Sequence, residues 1–224
     1  MIIDKKHFYD SYKEVFGVLK DPVIKAQDFL LDKFDTSEVF STKARISYAL
    51  ATIKRETAET YEPVLEGYWI KGDRLGKLYN YYQTHNPGAL TTIFPNGKRE
   101  PAYYGRGYVQ LTHNFNYNKF TNILKLDLVN RPHEALDREV AFKIMEFGME
   151  NGSYTGKKLS DYFTDEEYDF YNARKIINGL DAATEIANNA KLFMGCINFI
   201  ETPAESINGE DREVNPEPHK GDLI

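Results

Sequence analysis

Glu56 continues an apolar stripe. Ile46, Ala49 and Ile53 recur at helical spacings of three and four, and Glu56 lies three residues beyond Ile53 in the same register. A carboxyl set against apolar surface has its charged form disfavoured, which suits a general acid working near neutral pH. The competing reading is a frayed helix end and a solvated acid. Hydrolysis by a positioned water needs a second carboxylate, and Glu59, Glu62, Glu66, Asp73 and Glu100 follow downstream. Glu59 and Glu62 sit close to the helix end and read as solvated charges. Glu66 follows Pro63 and precedes Gly67, Tyr68 and Trp69, across a chain turn from Glu56, so it is placed to face the first acid.

Residues 103–117 read Tyr-Tyr-Gly-Arg-Gly-Tyr-Val-Gln-Leu-Thr-His-Asn-Phe-Asn-Tyr. Glycines on both sides of Arg106 permit tight backbone geometry and close approach of a ligand. Gln110 and Thr112 alternate with Val109 and Leu111. An extended segment would put the two polar side chains on one face, and His113 with the apolar ones on the other. With Asn114 and Asn116 this gives a row of neutral hydrogen-bonding groups suited to hydroxyl and acetamido groups. Nine of the 16 tyrosines fall between Tyr61 and Tyr117, along with Trp69. Tyrosine offers a sugar an apolar face and a hydroxyl, although a tyrosine-rich core edge accounts for the same pattern. The five histidines show no metal-ligand spacing, and there is no phosphate loop and no Ser or Cys nucleophile motif.

The 103–117 segment resembles the signature of glycoside hydrolase family 19, the chitinases and related endolysins, and matches it without a gap. Arg55-Glu56-Thr57 resembles the family's His-Glu-Thr, and Ala58-Glu59 stand where Gly-Gly often follows. The stretch from Ala173 to Gly179 resembles the family's Arg-x-Ile-Asn-Gly segment. The resemblance implies an inverting mechanism with Glu56 as general acid. It implies Glu66 as general base, with Glu62 and Glu100 as alternatives, and Thr112 as the hydroxyl that holds the water. It also implies Tyr104, Gln110, Asn116 and Asn178 as substrate-binding residues, with a structural role as the alternative for Tyr104. Arg106, set in a glycine turn, reads as a tie between loops. It implies no metal and no organic cofactor.

Helices must position these groups. Asp4 predicts a cap for a first helix ending near Gly17, and Asp21-Pro22 the start of a second running to about Phe34. Ser41 opens a third. The Gly- and Pro-rich stretch 61–111 predicts loops and short extended pieces, with a short helix at Arg74–Tyr82. Further helices are expected at Asn116–Leu124, Asp137–Met149, Asp165–Ile177 and Asp181–Ile200. In the last of these, Ile186, Ala190, Phe193 and Ile197 share a face. The fold class is therefore mainly α, and the resemblance implies a lysozyme-like two-lobed domain with a central groove.

The chain has 224 residues, 42% hydrophobic and 28% charged, enough for one sizeable domain. Its net charge of -6 is uneven. Residues 201–224 hold seven acids and two bases, against 27 acids and 26 bases in residues 1–200. The division expected is a catalytic domain over 1–200 and an acidic flexible tail over 201–224. No general positive field favours nucleic acid. No stretch approaches a membrane span, and no secretory signal is read at the N-terminus. Cys196, the single cysteine, lies among apolar residues and reads as a buried inert thiol. The expectation is a monomer made in the cytoplasm and acting on cell wall after release. Its activity would be hydrolysis of β-1,4 bonds in an N-acetylglucosamine polymer, with peptidoglycan first and chitin second. The competing class is a non-catalytic glycan-binding protein of the same fold.

Overall fold

The computed structural model describes residues 1–85, 103–164 and 166–200, and within them eight α-helices and four two-residue strands. Glu100, the predicted helix start at Asp165 and the 201–224 tail lie outside the described residues. The first helix, α1 (Lys5–Phe16), starts where Asp4 accepts a hydrogen bond from the His7 amide at 3.0 Å, and it ends at Gly17. Helix α2 (Asp21–Thr36) is capped at Lys20, one residue earlier than predicted. Asp21 and Pro22 occupy its first turn, where a carboxylate and a proline both suit the helix start.

The third helix, α3 (Lys43–Glu56), starts from Thr42, not Ser41. The Thr42 hydroxyl accepts from the Arg45 amide at 3.2 Å. It was expected to bury one face. Instead every residue from Ile46 to Lys54 is buried, so α3 runs through the middle of the molecule. Small side chains at Ser47, Ala49, Ala51 and Thr52 let neighbours approach the sides that carry no large apolar group. Its main partner is α8 (Ala183–Cys196). On α8, Ile186, Ala190 and Phe193 are fully buried, and Phe193 meets the Phe16 ring of α1 at 4.7 Å.

Strand β1 (Ile2–Ile3) pairs antiparallel with β4 (Phe199–Ile200), so the predicted long last helix stops at Cys196 and gives way to a strand. Cys196 is buried, and burial pushes its thiol up to about 11. The helix expected over 165–177 is only α7 (Phe170–Ala173), capped by Asp169 and followed by a 3-10 turn at Arg174–Ile176. Helices α5 (Asn114–Leu124) and α6 (Arg138–Glu150) lie close to their predicted positions, and Asp137 caps α6.

The Gly- and Pro-rich middle builds a second, smaller core. Strand β2 (Val64–Leu65) pairs with β3 (Arg106–Gly107), and Arg106 also bridges to Leu111. Helix α4 (Arg74–His85) then lays Leu78 and Tyr82 against Tyr104, with Leu65 and Ile70 at the margin. This cluster is separate from the large core built around α3, which accords with the expected two lobes.

The alternation at 109–113 does not form a strand. Gln110 and His113 have φ of +54° and +76°, so the chain turns where an extended segment was expected. The flanking glycines serve the chain's own packing. Gly107 has φ of +87°, and a Cβ there would stand 3.0 Å from the Ala135 carbonyl oxygen. Gly107→Ala is expected to cost about 1–3 kcal/mol from left-handed strain and overpacking against that carbonyl. A urea midpoint equal to that of the parent would contradict this.

Candidate active site

A cleft of about 470 Å³ lies between the two cores, lined among others by Glu56, Glu66, Gln110, Thr112, Arg174 and Asn178. Glu56 reaches it because α3 ends there. The turn that follows is strained: Ala58, Glu59 and Tyr61 have φ of +45°, +65° and +56°. Two of these positions are those where the resembling family often carries glycine. Several contacts hold the turn. The Thr57 hydroxyl donates to the Ile53 carbonyl at 2.7 Å and accepts from the Tyr61 amide at 3.0 Å. Lys54 pairs with Glu59.

The expected apolar setting of Glu56 is corrected. Its Oε1 accepts from Arg174 Nη1 at 2.6 Å, with side-chain exposures of 17% and 4% for Glu56 and Arg174. Arg174 Nε also donates to the Asp181 carbonyl at 2.9 Å. The guanidinium thus ties the end of α3 to the loop before α8, and it leaves the second carboxyl oxygen of Glu56 for the cleft.

Glu66 follows β2, and its amide donates to the Gly105 carbonyl at 2.8 Å. Its Oε2 accepts from the Gly105 amide at 2.8 Å and from the Tyr82 hydroxyl. A Cβ on Gly105 would fall 2.7 Å from Gln110 Oε1 and 3.2 Å from Glu66 Oε2, so a larger residue would push the Gln110 amide and the Glu66 carboxyl out of these positions. Burial, and then the Glu66 carboxylate, push the Tyr82 hydroxyl well above the ordinary phenol range. Tyr82 therefore stays a proton donor to Glu66 across the working pH range.

The other candidate acids are engaged elsewhere. Glu62 receives both Nε (2.8 Å) and Nη2 of Arg138, a paired fork geometry. Glu59 holds Lys54, and Asp73 Oδ1 accepts from the Gly76 amide at 3.0 Å. Of the acids weighed as the second carboxylate, Glu66 alone among the described residues lines the cleft.

The polar row divides its work. Thr112 donates to the Gln110 carbonyl at 2.8 Å, so its hydroxyl oxygen can only accept from a further group. Gln110 gives its amide protons to the carbonyls of Val64 and Gly107, both at 3.1 Å, and so fastens β2 to β3. Asn116 donates to the Thr112 carbonyl at 2.9 Å, and its Oδ1 is buried without a partner among the described residues. Asn178 is exposed at the cleft rim. Tyr104, expected to bind substrate, is instead 3% exposed in the small core and does not line the cleft. Its ring carries the Arg106 guanidinium at 3.9 Å, and Arg106 is buried as a tie, donating to the Tyr104 carbonyl and to the Tyr117 hydroxyl.

Sequence reasoning placed His113 on the apolar side. The left-handed turn brings it into the cleft wall, stacked on Phe115 at 5.3 Å. Burial lowers its imidazole below the ordinary histidine range, with Glu66 opposing. Six of the nine tyrosines between 61 and 117 are core residues, Tyr61, Tyr82, Tyr103, Tyr104, Tyr108 and Tyr117. Tyr81, Tyr82 and Arg174 were not assigned site roles from sequence. For Tyr82 the signal was its four-residue spacing from Leu78 on one helix face. Among the described residues no three metal-ligating side chains cluster, and no helix is long and apolar enough to cross a membrane.

Comparison with known proteins places this geometry. A family model described as chitinase class I, of the glycoside hydrolase 19 family, matches residues 7–155. Endochitinase CH5B of Phaseolus vulgaris is 28% identical over 112 residues, covering 49% of this chain and 32% of that protein. Chitinase 11 of Oryza sativa subsp. japonica is 51% identical over 45 residues, covering 20% of this chain and 18% of that protein. The matched region thus spans about a third or less of these curated relatives. The solved structure of chitinase C from Streptomyces griseus HUT6037 has the same fold, with a TM-score of 0.52 and 20% identity, covering 86% of this chain and 91% of that one. The match over about two thirds of the sequence means that the chain belongs to glycoside hydrolase family 19, the class I chitinase family.

Proposed function

We propose that this protein hydrolyses β-1,4 bonds in N-acetylglucosamine polymers with inversion, and that chitin is its first substrate. The observation that carries this reading is that Glu56 and Glu66 reach one cleft from different cores, each with one carboxyl oxygen engaged by the protein. The unengaged oxygen of Glu56 delivers a proton to the glycosidic oxygen, and Arg174 pairs with the carboxylate that this leaves. The unengaged oxygen of Glu66 takes a proton from the attacking water. That water keeps its other hydrogen, which it donates as a hydrogen bond to the Thr112 hydroxyl oxygen, whose own proton is committed to the Gln110 carbonyl. The water oxygen bonds to the anomeric carbon from the face opposite the departing O4, so the product anomer is inverted. This geometry calls for carboxyls about 6.5–9.5 Å apart. Arg174 and Tyr82 aim the two acids. The relatives named as chitinases move chitin ahead of peptidoglycan, which shares the β-1,4 linkage and which sequence reasoning put first.

The test incubates the purified protein, and its Glu56→Gln variant, with chitin oligomers and with bacterial sacculi. New reducing ends are expected from chitin, falling by about 10²–10⁴-fold in the variant. Faster release from sacculi would reverse the substrate order. Binding without release from either polymer would sink the hydrolase reading in favour of glycan binding.

A further inference from the structure

One ring in the cleft has no part in the chemistry above. Tyr81 projects from α4, is 53% exposed and lines the same cleft as Glu66. It lies outside the 103–117 signature and outside every residue assigned a role from sequence. An aromatic residue half exposed in a polar cleft is poorly explained by core packing, because about half of its surface gains no burial.

The ring is also held. His85, one helical turn along, stacks on it with centroids 4.7 Å apart and an interplanar angle of 13°. The His85 ring is fixed in turn: its Nδ1 lies 2.7 Å from the Thr84 hydroxyl and 3.0 Å from the Tyr81 carbonyl. Tyr82 meets Tyr81 edge-on at 5.4 Å and 80°, and Tyr82 is the residue that donates to Glu66. One face of Tyr81 is therefore backed by His85, Tyr82 packs beside it, and the half of the residue left exposed lines the cleft. Such a ring loses little side-chain freedom when a flat apolar partner covers it.

We propose that Tyr81 is a sugar-stacking residue, whose exposed half covers the C–H face of an N-acetylglucosamine ring bound beside Glu66. The proposal rests on the glycosidase reading for its ligand and deepens it. The stacked sugar lies on a platform joined through Tyr82 to the proposed base, so ring contact and water activation share one rigid support. The work of Tyr81 is to bind and orient, so its loss acts mainly on KM.

Binding is measured by calorimetry with chitin tetramer and hexamer in the Glu56→Gln background, where turnover does not interfere. Adding Tyr81→Ala is expected to weaken binding about tenfold. Tyr81→Phe is expected to restore the affinity, because stacking needs the ring and not the hydroxyl. In the active background Tyr81→Ala should raise KM about tenfold and change kcat less. Unchanged oligomer affinity in Tyr81→Ala would overturn the proposal, as would equal weakening by Tyr81→Phe. If the wild-type protein binds oligomers through Tyr81 yet releases no reducing ends, the hydrolase reading fails and the stacking role stands. If the Glu56→Gln parent binds no oligomer, both fall.

Discussion

Glu66→Gln is expected to lower turnover of chitin oligomers by about three orders of magnitude while the protein stays folded. Glutamine keeps the shape of the side chain, and its carbonyl oxygen can still accept from the Gly105 amide and the Tyr82 hydroxyl. What it cannot do is take a proton from water, and loss of a positioned base costs about 10²–10⁴-fold. The contrast is Glu62→Gln. Glu62 is held by Arg138 away from the cleft, so that variant should turn over within a few-fold of the parent. Steady-state release of reducing ends, with circular dichroism to verify the fold, decides between them. If Glu62→Gln abolishes activity and Glu66→Gln does not, the base is misassigned.

The second large effect concerns stability. Arg174→Met would leave the Glu56 carboxyl, 17% exposed, facing the cleft wall without its guanidinium, and would remove the donor to the Asp181 carbonyl. Breaking a fully buried ion pair from one side typically costs about 3–5 kcal/mol; here Arg174 is buried but Glu56 lines the cleft, where water reaches the remaining charge, so about 1–3 kcal/mol is expected. A loss of that size is expected by urea denaturation, together with loss of turnover as the proposed acid loses its aim. Arg174→Met combined with Glu56→Gln should recover part of the stability, since the stranded charge is gone. A single variant that unfolds at the parent's urea midpoint would show that the pair contributes nothing net.

Much of this site was legible in the residues. The stripe that ends at Glu56, and the turn that carries Glu66 back toward it, are both local patterns, and both acids reach the cleft. The 103–117 segment carried the family. Its internal geometry was misread because alternation of residue type implies a strand only when φ stays negative, and Gln110 and His113 turn the chain. That turn is why His113 faces the cleft. Arg174 sits in a segment noticed in the sequence, but its partner lies 118 residues away, beyond any spacing rule. Tyr104 shows the opposite case. A tyrosine in a binding motif reads either as a contact or as a structural residue, and the structure makes it a plate on which Arg106 rests. The strand pair β1–β4 was hidden for a simpler reason. Two residues on each side are too few to show a period.

Among the described residues the two cores differ greatly in size. The proposed acid stands on an extensive one, while the proposed base is braced by a cluster whose fully buried members among the described residues are Leu78, Tyr82 and Tyr104. Opening free energies follow local packing, so the small cluster is the cheaper unit to open. Warming should therefore abolish the proposed activity in two stages. First comes a reversible loss of the base while helices α3 and α8 persist, then cooperative melting of the rest. Heat tolerance of the proposed catalysis is then expected to be set by the minor cluster, and that is where an engineer would add packing.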